Sequence, residues 1–387
     1  MDSASEQRQL ILLSAGISRR RRALGEHGHA LLNNIDWIGL SQTLMLRRLL
    51  PTLGPRIVQM ADGRSSEGFD EAVLASTSAA RRQGVFLQLM TDHVRGALTD
   101  AGIRSAPLKG PFLSEALYGD LGRRLASDID MLVAPEELSA AVDVVRSLGY
   151  SPPTDYVDRD HLPLLHFALT HERGELPPVE LHWRIHWYER AFARDCLLPP
   201  DTTSQACWHV APISELLALL LFYARDGFVD LRLATDLGAW WDHHGGGVQP
   251  GELDELLRSY PSLKRSAVTA VEVAGRVVGI PVDQLIEERV DLRGRMAVRL
   301  ANPNPKSGSS QLHADVGLID GLLMPSGGFG EFWSRQVMLP REALEDRMRH
   351  GTLPSRSRAG HAMRVLARYG LAAARFAQPV ETLNMTK

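Results

Sequence analysis

The chain has 387 residues, a formal net charge of −3, 44% hydrophobic residues and 23% charged residues. That balance excludes wholesale disorder and collagen-like repeats, and the length allows two or three domains of about 100–200 residues each. The two cysteines, Cys196 and Cys207, exclude a disulfide scaffold and a four-cysteine zinc site.

Residues 1–79 read as a helical region. Arg19–Arg22 follows the apolar Ile11–Leu13 instead of preceding it, the wrong order for a signal peptide, so a cytoplasmic protein is expected. The Arg19–Arg22 run itself reads as a solvated helix face, with contact to a partner or nucleic acid as the alternative. A loop begins at Ala61, and a helix is expected from about Glu71 to Asp100. IRSAPLKG then reads as extended and PFLSEALYG as a short helix with Pro111 in its first turn. LASDIDMLV reads as a strand, Pro135-Glu136-Glu137 as a helix start with acids at its positive end, and Gly149 as that helix's stop. HLPLLHFALTHERG and PPVELHWRIHW are candidate strands around a polar turn. This order predicts an α+β core with a mixed sheet. Beyond Asp201 the chain turns helical: a buried helix through Leu216–Ala224, an amphipathic one through LRLATDLGAWW, and further helix from Leu253 to Val278. The nine-residue stretch Leu216–Ala224 is the longest clean apolar run, short of the ~18–20 residues a membrane helix needs. ANPNPKSGSS and MPSGGFG read as loops, and His361–Phe376 as a final helix.

The chemistry concentrates around Ser127-Asp128-Ile129-Asp130-Met131. Side chains alternate along a strand, so Asp128 and Asp130 project to one side while Ile129 and Met131 enter the core. Like charges on one face repel, and a cation between them relieves the repulsion. An edge strand with its acids in water is the other reading. Glu180, between Val179 and Leu181, supplies a third carboxylate if its strand neighbours the first; alone it is also ordinary strand-surface decoration. Three carboxylates suit Mg²⁺ or Mn²⁺, and two such ions ~3.5–4 Å apart activate a nucleophile and neutralise a leaving pyrophosphate.

Leu108-Lys109-Gly110-Pro111 falls at a strand-to-helix turn. Free N–H groups at the helix start favour phosphate, Gly110 admits a ligand close to the backbone, and Lys109 adds a point charge. A plain structural turn is the alternative. Lysine occurs only at 109, 264, 306 and 387, with arginine at every other basic position, which singles out Lys109. Arg123 and Arg124 either clamp triphosphate oxygens or form a solvated pair. Arg232 and Asp236, one helical turn apart, are either a structural ion pair, or a phosphate ligand and a group that orients or deprotonates an acceptor. His182 and His186 have no cysteine partner and read as buried, hydrogen-bonded histidines rather than zinc ligands. The two cysteines show no reactive context.

Taken together, APLKG, ALYGDLGRRLASDIDMLV, LGY and VELHWRIHW resemble the bacterial "uncharacterised nucleotidyltransferase" family, a branch of the DNA polymerase β-like superfamily. The matching positions are Leu108, Lys109, Gly110, Tyr118, Arg124, Asp128, Asp130, Gly149, Tyr150, Glu180, His182 and Trp183. LRLATDLGAWW extends the resemblance through Arg232 and Asp236, and MLPREALEDRMRHG resembles the family's C-terminal segment loosely. Coverage runs from about residue 80 to 245. There are two departures: Arg225-Asp226 stands where such proteins often carry a His, and Lys-Gly-Pro replaces the superfamily's Gly-Ser or Gly-Gly turn.

The resemblance implies a small polymerase β-like core over residues 80–200, behind an N-terminal helical region, 1–79. Residues 201–300 would form a helical wall of the cleft, and 301–387 a linker and C-terminal helical tail. It implies a metal-dependent transfer of a nucleoside monophosphate from a nucleoside triphosphate, with pyrophosphate leaving. Asp128, Asp130 and Glu180 would hold Mg²⁺ or Mn²⁺ and, with Asp236, be catalytic. Lys109, Gly110, Arg123, Arg124 and Arg232 would bind nucleotide phosphates. The resemblance implies a small-molecule, peptide or saccharide acceptor more than nucleic acid, against which the net charge of −3 also argues. A kinase-like phosphotransferase and an RNA-end-modifying toxin are alternatives on the same core. A catalytically silent nucleotide- or partner-binding module is a third, against which the costly acid triad argues.

Overall fold

The computed structural model describes residues 3–22, 31–151, 165–189, 191–199, 208–301 and 310–325, together with residues 330, 359–360, 362–363, 366–367 and 370. A five-stranded mixed sheet lies among helices. Its strands are β1 (Ser105–Pro107), β2 (Ile129–Val133), β3 (Tyr150–Ser151), β4 (His166–His171) and β5 (Val179–His182), in the order β1-β2-β5-β4-β3. β2 and β5 run parallel, and the other neighbours run antiparallel. The expected α+β core is present; β3 is a strand that the sequence pattern alone does not separate from its helix stop.

β2 is buried along its whole length. Ile129, Met131 and Val133 pack with Leu87, Val94 and Leu98 of the long helix Glu67–Asp100 and with Ala141 and Val145 of the helix Leu138–Ser147. Leu132, on the opposite face, joins a second core that includes Leu216–Ala224. The inward turn of Ile129 and Met131 is as expected. The face carrying Asp130 is no open edge, however: Asp130 is 5% exposed. An ionised carboxylate survives such burial only when paired.

Several boundaries differ from the sequence reading for local reasons. The long helix starts at Glu67 because the Ser66 side chain accepts from Phe69 N and so caps it. Pro135–Glu137 forms a 3₁₀ turn ahead of the Leu138 helix. The stretch beginning near Leu253 divides into helices Glu252–Ser259 and Lys264–Val278, with Pro261 between them. The helix Leu231–His244, expected to be amphipathic, is buried from Leu231 to Trp240 except at Arg232. The arginine run is no solvated face throughout. Arg20 Nη1 donates to Arg276 O at 3.1 Å and Val277 O at 2.8 Å, and Arg21 pairs with Asp242 at 3.2 Å. Cys196 is buried, and its thiol is pushed up by that burial. Cys207, nearly all of ANPNPKSGSS, most of MPSGGFG and most of the expected helix His361–Phe376 lie outside the described residues. Among the described residues no helix is long and apolar enough to cross a membrane.

A tight junction fixes the segment ahead of β2. A Cβ on Gly84 of the long helix would meet Leu121 O at 2.5 Å, and one on Gly122 would meet Arg81 N and Thr77 O at 2.8 Å. Arg81 holds the Asp120 carboxylate through Nε at 3.0 Å and Nη2 at 2.6 Å. This bidentate grip, with backbone against backbone, sets where Arg123 and Arg124 begin.

Candidate active site

Cross-strand partners share a sheet face, so register decides which side chains meet. Asp130 is opposite Glu180, Glu180 opposite Ala168, and His182 opposite His166. Asp130, Glu180, His182 and His166 therefore stand together, with a small alanine leaving room beside them. His182 Nε2 lies 2.9 Å from Asp130 Oδ1 and 3.3 Å from Glu180 Oε2. His166 Nε2 is 3.6 Å from Glu180 Oε2. Lys109 Nζ lies 3.1 Å from Asp130 Oδ1 and 4.5 Å from the centre of the Phe222 ring. Lys109 reaches in from the cap of the helix Gly110–Tyr118, where Gly110 adopts φ +72°, a left-handed turn that glycine makes without strain.

Burial opposes charge on Asp130, but the nearby Lys109 ammonium and the His182 hydrogen bond outweigh it and hold the carboxyl far below its usual range. Glu180 is likewise lowered: its burial is more than offset by the His182 hydrogen bond. Asp128 goes the other way. Burial, then the charges of Asp130 and Glu180, push its carboxyl up. Burial and the neighbouring His182 bring His166 down to about 4, so its contact with Glu180 at neutral pH involves a neutral imidazole.

The carboxylate oxygens of Asp128, Asp130 and Glu180 are donors of the kind Mg²⁺ and Mn²⁺ take. The residues present therefore fit a divalent cation. Among the described residues, the three donors that lie within 4.8 Å of one another are those of His166, Glu180 and His182; Asp128 and Asp130, expected to complete a carboxylate triad with Glu180, are not in that group. Imidazoles add the kind of ligand that transition metals accept more readily than Mg²⁺ does.

The arginines separate. Arg124 Nε donates to Asp236 Oδ2 at 2.8 Å, and Tyr118 donates its hydroxyl to Asp236 Oδ1 at 2.7 Å. Arg232 does not pair with Asp236. Its guanidinium takes Asp230, the N-cap of its own helix, through Nη2 at 2.7 Å and Nε at 3.1 Å. Arg123 turns toward a cavity shared with Arg21 and Arg56. Arg225 is the residue that sequence reasoning passed over. Its guanidinium lies 4.8 Å from the Phe222 ring centre, on the ring that Lys109 also contacts; its Nε is 3.5 Å from Asp226 Oδ1, and its Nη1 is buried with no hydrogen-bond partner among the described residues. The available signal was the Arg225-Asp226 departure from the family pattern. His186 is buried, as expected, and burial takes it down to about 3.

A family model described as "Uncharacterised nucleotidyltransferase" matches residues 33–278, more than half of the chain. No curated protein and no solved structure matches it.

Proposed function

From the premise that this chain belongs to the uncharacterised nucleotidyltransferase family, we propose that it transfers a nucleoside monophosphate from a nucleoside triphosphate to a small-molecule, peptide or saccharide acceptor. The observation that carries this reading is the pairing of Asp130 with Glu180 on parallel central strands, with Asp128 alongside, raised first by burial and then by both carboxylates. Asp128, Asp130 and Glu180 hold Mg²⁺ or Mn²⁺. Bound there, the metal supplies positive charge to the triphosphate. Lys109 and the backbone of Gly110 bind phosphate oxygens at the helix start, and Arg225, with its unpartnered Nη1, joins them. The acceptor atom bonds to the α-phosphorus as the bond to pyrophosphate breaks. Asp236, with both oxygens engaged, is a positioning residue that fixes Arg124 and Tyr118. Catalysis in this reading is mainly placement and charge neutralisation. Residues 80–200 form the transferase core, and residues 201–300 a wall of its cleft.

The test is thermal stability with ATP, CTP, GTP and UTP, each with and without Mg²⁺ or Mn²⁺. A ligand of the native state raises stability by about 2.7 kcal/mol at a hundred times its dissociation constant. One nucleotide should stabilise the wild type only with metal, and Asp128→Ala with Asp130→Ala should abolish the effect. A shift that survives in the double variant would sink the carboxylate site.

A further inference from the structure

A cavity of about 320 Å³ lies between the N-terminal helices and the core, within the size range of small-molecule pockets. Three guanidinium groups line it, those of Arg21, Arg56 and Arg123, against a single lining carboxylate, Asp242. Asp242 is spent: it accepts from Ser18 N at 2.8 Å, from Ser18 Oγ at 2.8 Å and from Arg21 Nη2 at 3.2 Å. Arg56 donates to Ser14 O at 3.1 Å and stacks 5.5 Å from the Tyr118 ring centre, and among the described residues it makes no ion pair. Among the described residues the Arg123 guanidinium has one ion contact, a long one with Asp120 at 3.7 Å, and that carboxylate is already gripped by Arg81. Burial, then the Arg56 charge, hold Arg21 below its ordinary pKa even though Asp242 beside it pulls the other way, as expected where three cations share a space with one anion.

We propose that this cavity is a binding site for the phosphate or carboxylate group of a small molecule, held by Arg56, Arg123 and Arg21. The site is separate from the carboxylate cluster on the sheet. Arginine forks suit such oxyanions bidentately, and the excess of guanidinium over carboxylate supplies the attraction. Tyr118 is a shared wall: its ring faces Arg56, and its hydroxyl holds Asp236. A ligand seated here therefore rests against the group that fixes Asp236.

The test uses the full chain in a chelator, so that metal-assisted nucleotide binding stays silent. Inorganic phosphate, glycerol phosphate and citrate are each titrated by calorimetry and thermal shift. At least one should bind the wild type, and Arg56→Gln and Arg123→Gln should each weaken it tenfold or more, while Lys109→Gln leaves it unchanged. Tighter binding of glycerol phosphate or citrate than of phosphate marks an organic ligand; the reverse marks the free anion. Salt-type stabilisation by anion exclusion would raise every variant alike. If Arg56→Gln fails to fold, Arg123→Gln, on a partly exposed side chain, carries the test. No binding of any probe, equal binding in all variants, or loss in Lys109→Gln alone would each overturn the proposal.

Discussion

Arg124 and Asp236, 112 positions apart in the chain, meet at 2.8 Å with both side chains nearly sealed from water. Removing one partner from a buried pair strands the other, at a cost of about 3–5 kcal/mol. Asp236→Ala should lose stability on that scale in urea unfolding. Tyr118→Phe, which removes one hydrogen bond to the charged group, should lose about 1.5–3 kcal/mol. Nucleotide-dependent stabilisation should fall in both variants. Unchanged unfolding midpoints would show that this contact does not anchor the helical wall to the core.

Asp130→Asn should cost about 3–5 kcal/mol for the same reason, because Lys109 and His182 lose their shared anion. Adding Lys109→Met should recover part of the loss, since the stranded ammonium is then gone. A double-mutant cycle in urea gives the coupling directly. A coupling near zero would count against the ion pair.

Stability should fall on acidification below about pH 4.5. His186 and His166 have folded pKa values of about 3 and about 4, below the ordinary 6.5. Between those values and 6.5 the unfolded chain binds protons that the folded chain refuses. Their contribution is therefore complete above pH 6.5 and is lost as pH drops toward 4 and 3. For His186, at 1% exposure, the slope reaches about 1.4 kcal/mol per pH unit. Glu189 and Glu215, which burial raises to about 7, oppose this: their contribution is full below 4.5 and fades as pH rises to 7, so it offsets the histidines between pH 4.5 and 6.5. His186→Asn keeps an acceptor for Tyr188 N and should flatten the acid limb of melting temperature against pH.

Gly122→Ala should destabilise by about 1–3 kcal/mol, because the new methyl meets backbone of the long helix at 2.8 Å and backbone yields poorly. Arg123 follows directly and lines the arginine-rich cavity, so anion binding there should weaken as well. Gly96→Ala, on the same helix with open space around it, is the control and should be neutral or better.

Local signals carried much of the core. Alternation around Asp128–Met131, the Lys109–Gly110 turn and the 3.6-residue pattern of the long helix were all legible, because each depends on neighbours in sequence. Strand register is not local. Nothing near His166 announces that β4 will set it opposite His182, and only the sheet brings it to Glu180. The Arg232–Asp236 spacing suggested an ion pair, but Asp230 lies closer in the chain and already caps the helix, so it takes the guanidinium. Asp236 was thereby left for Arg124 and Tyr118, partners more than a hundred positions away. The arginine run misled for a similar reason: the carbonyls that Arg20 caps belong to a helix 256 positions downstream.

Lys109 has a consequence for how the protein behaves when empty. A chain whose clustered acids waited for an ion to quench them would come apart under a chelating agent. Here an ammonium already sits on Asp130 at 3.1 Å, a resident stand-in held against an aromatic ring. On the proposed reading, loading the site would exchange one cation for another rather than fill a repulsive gap. EDTA should strip the activity and leave the melting curve where it was, so the protein can be made, stored and handled metal-free and charged at the moment of use.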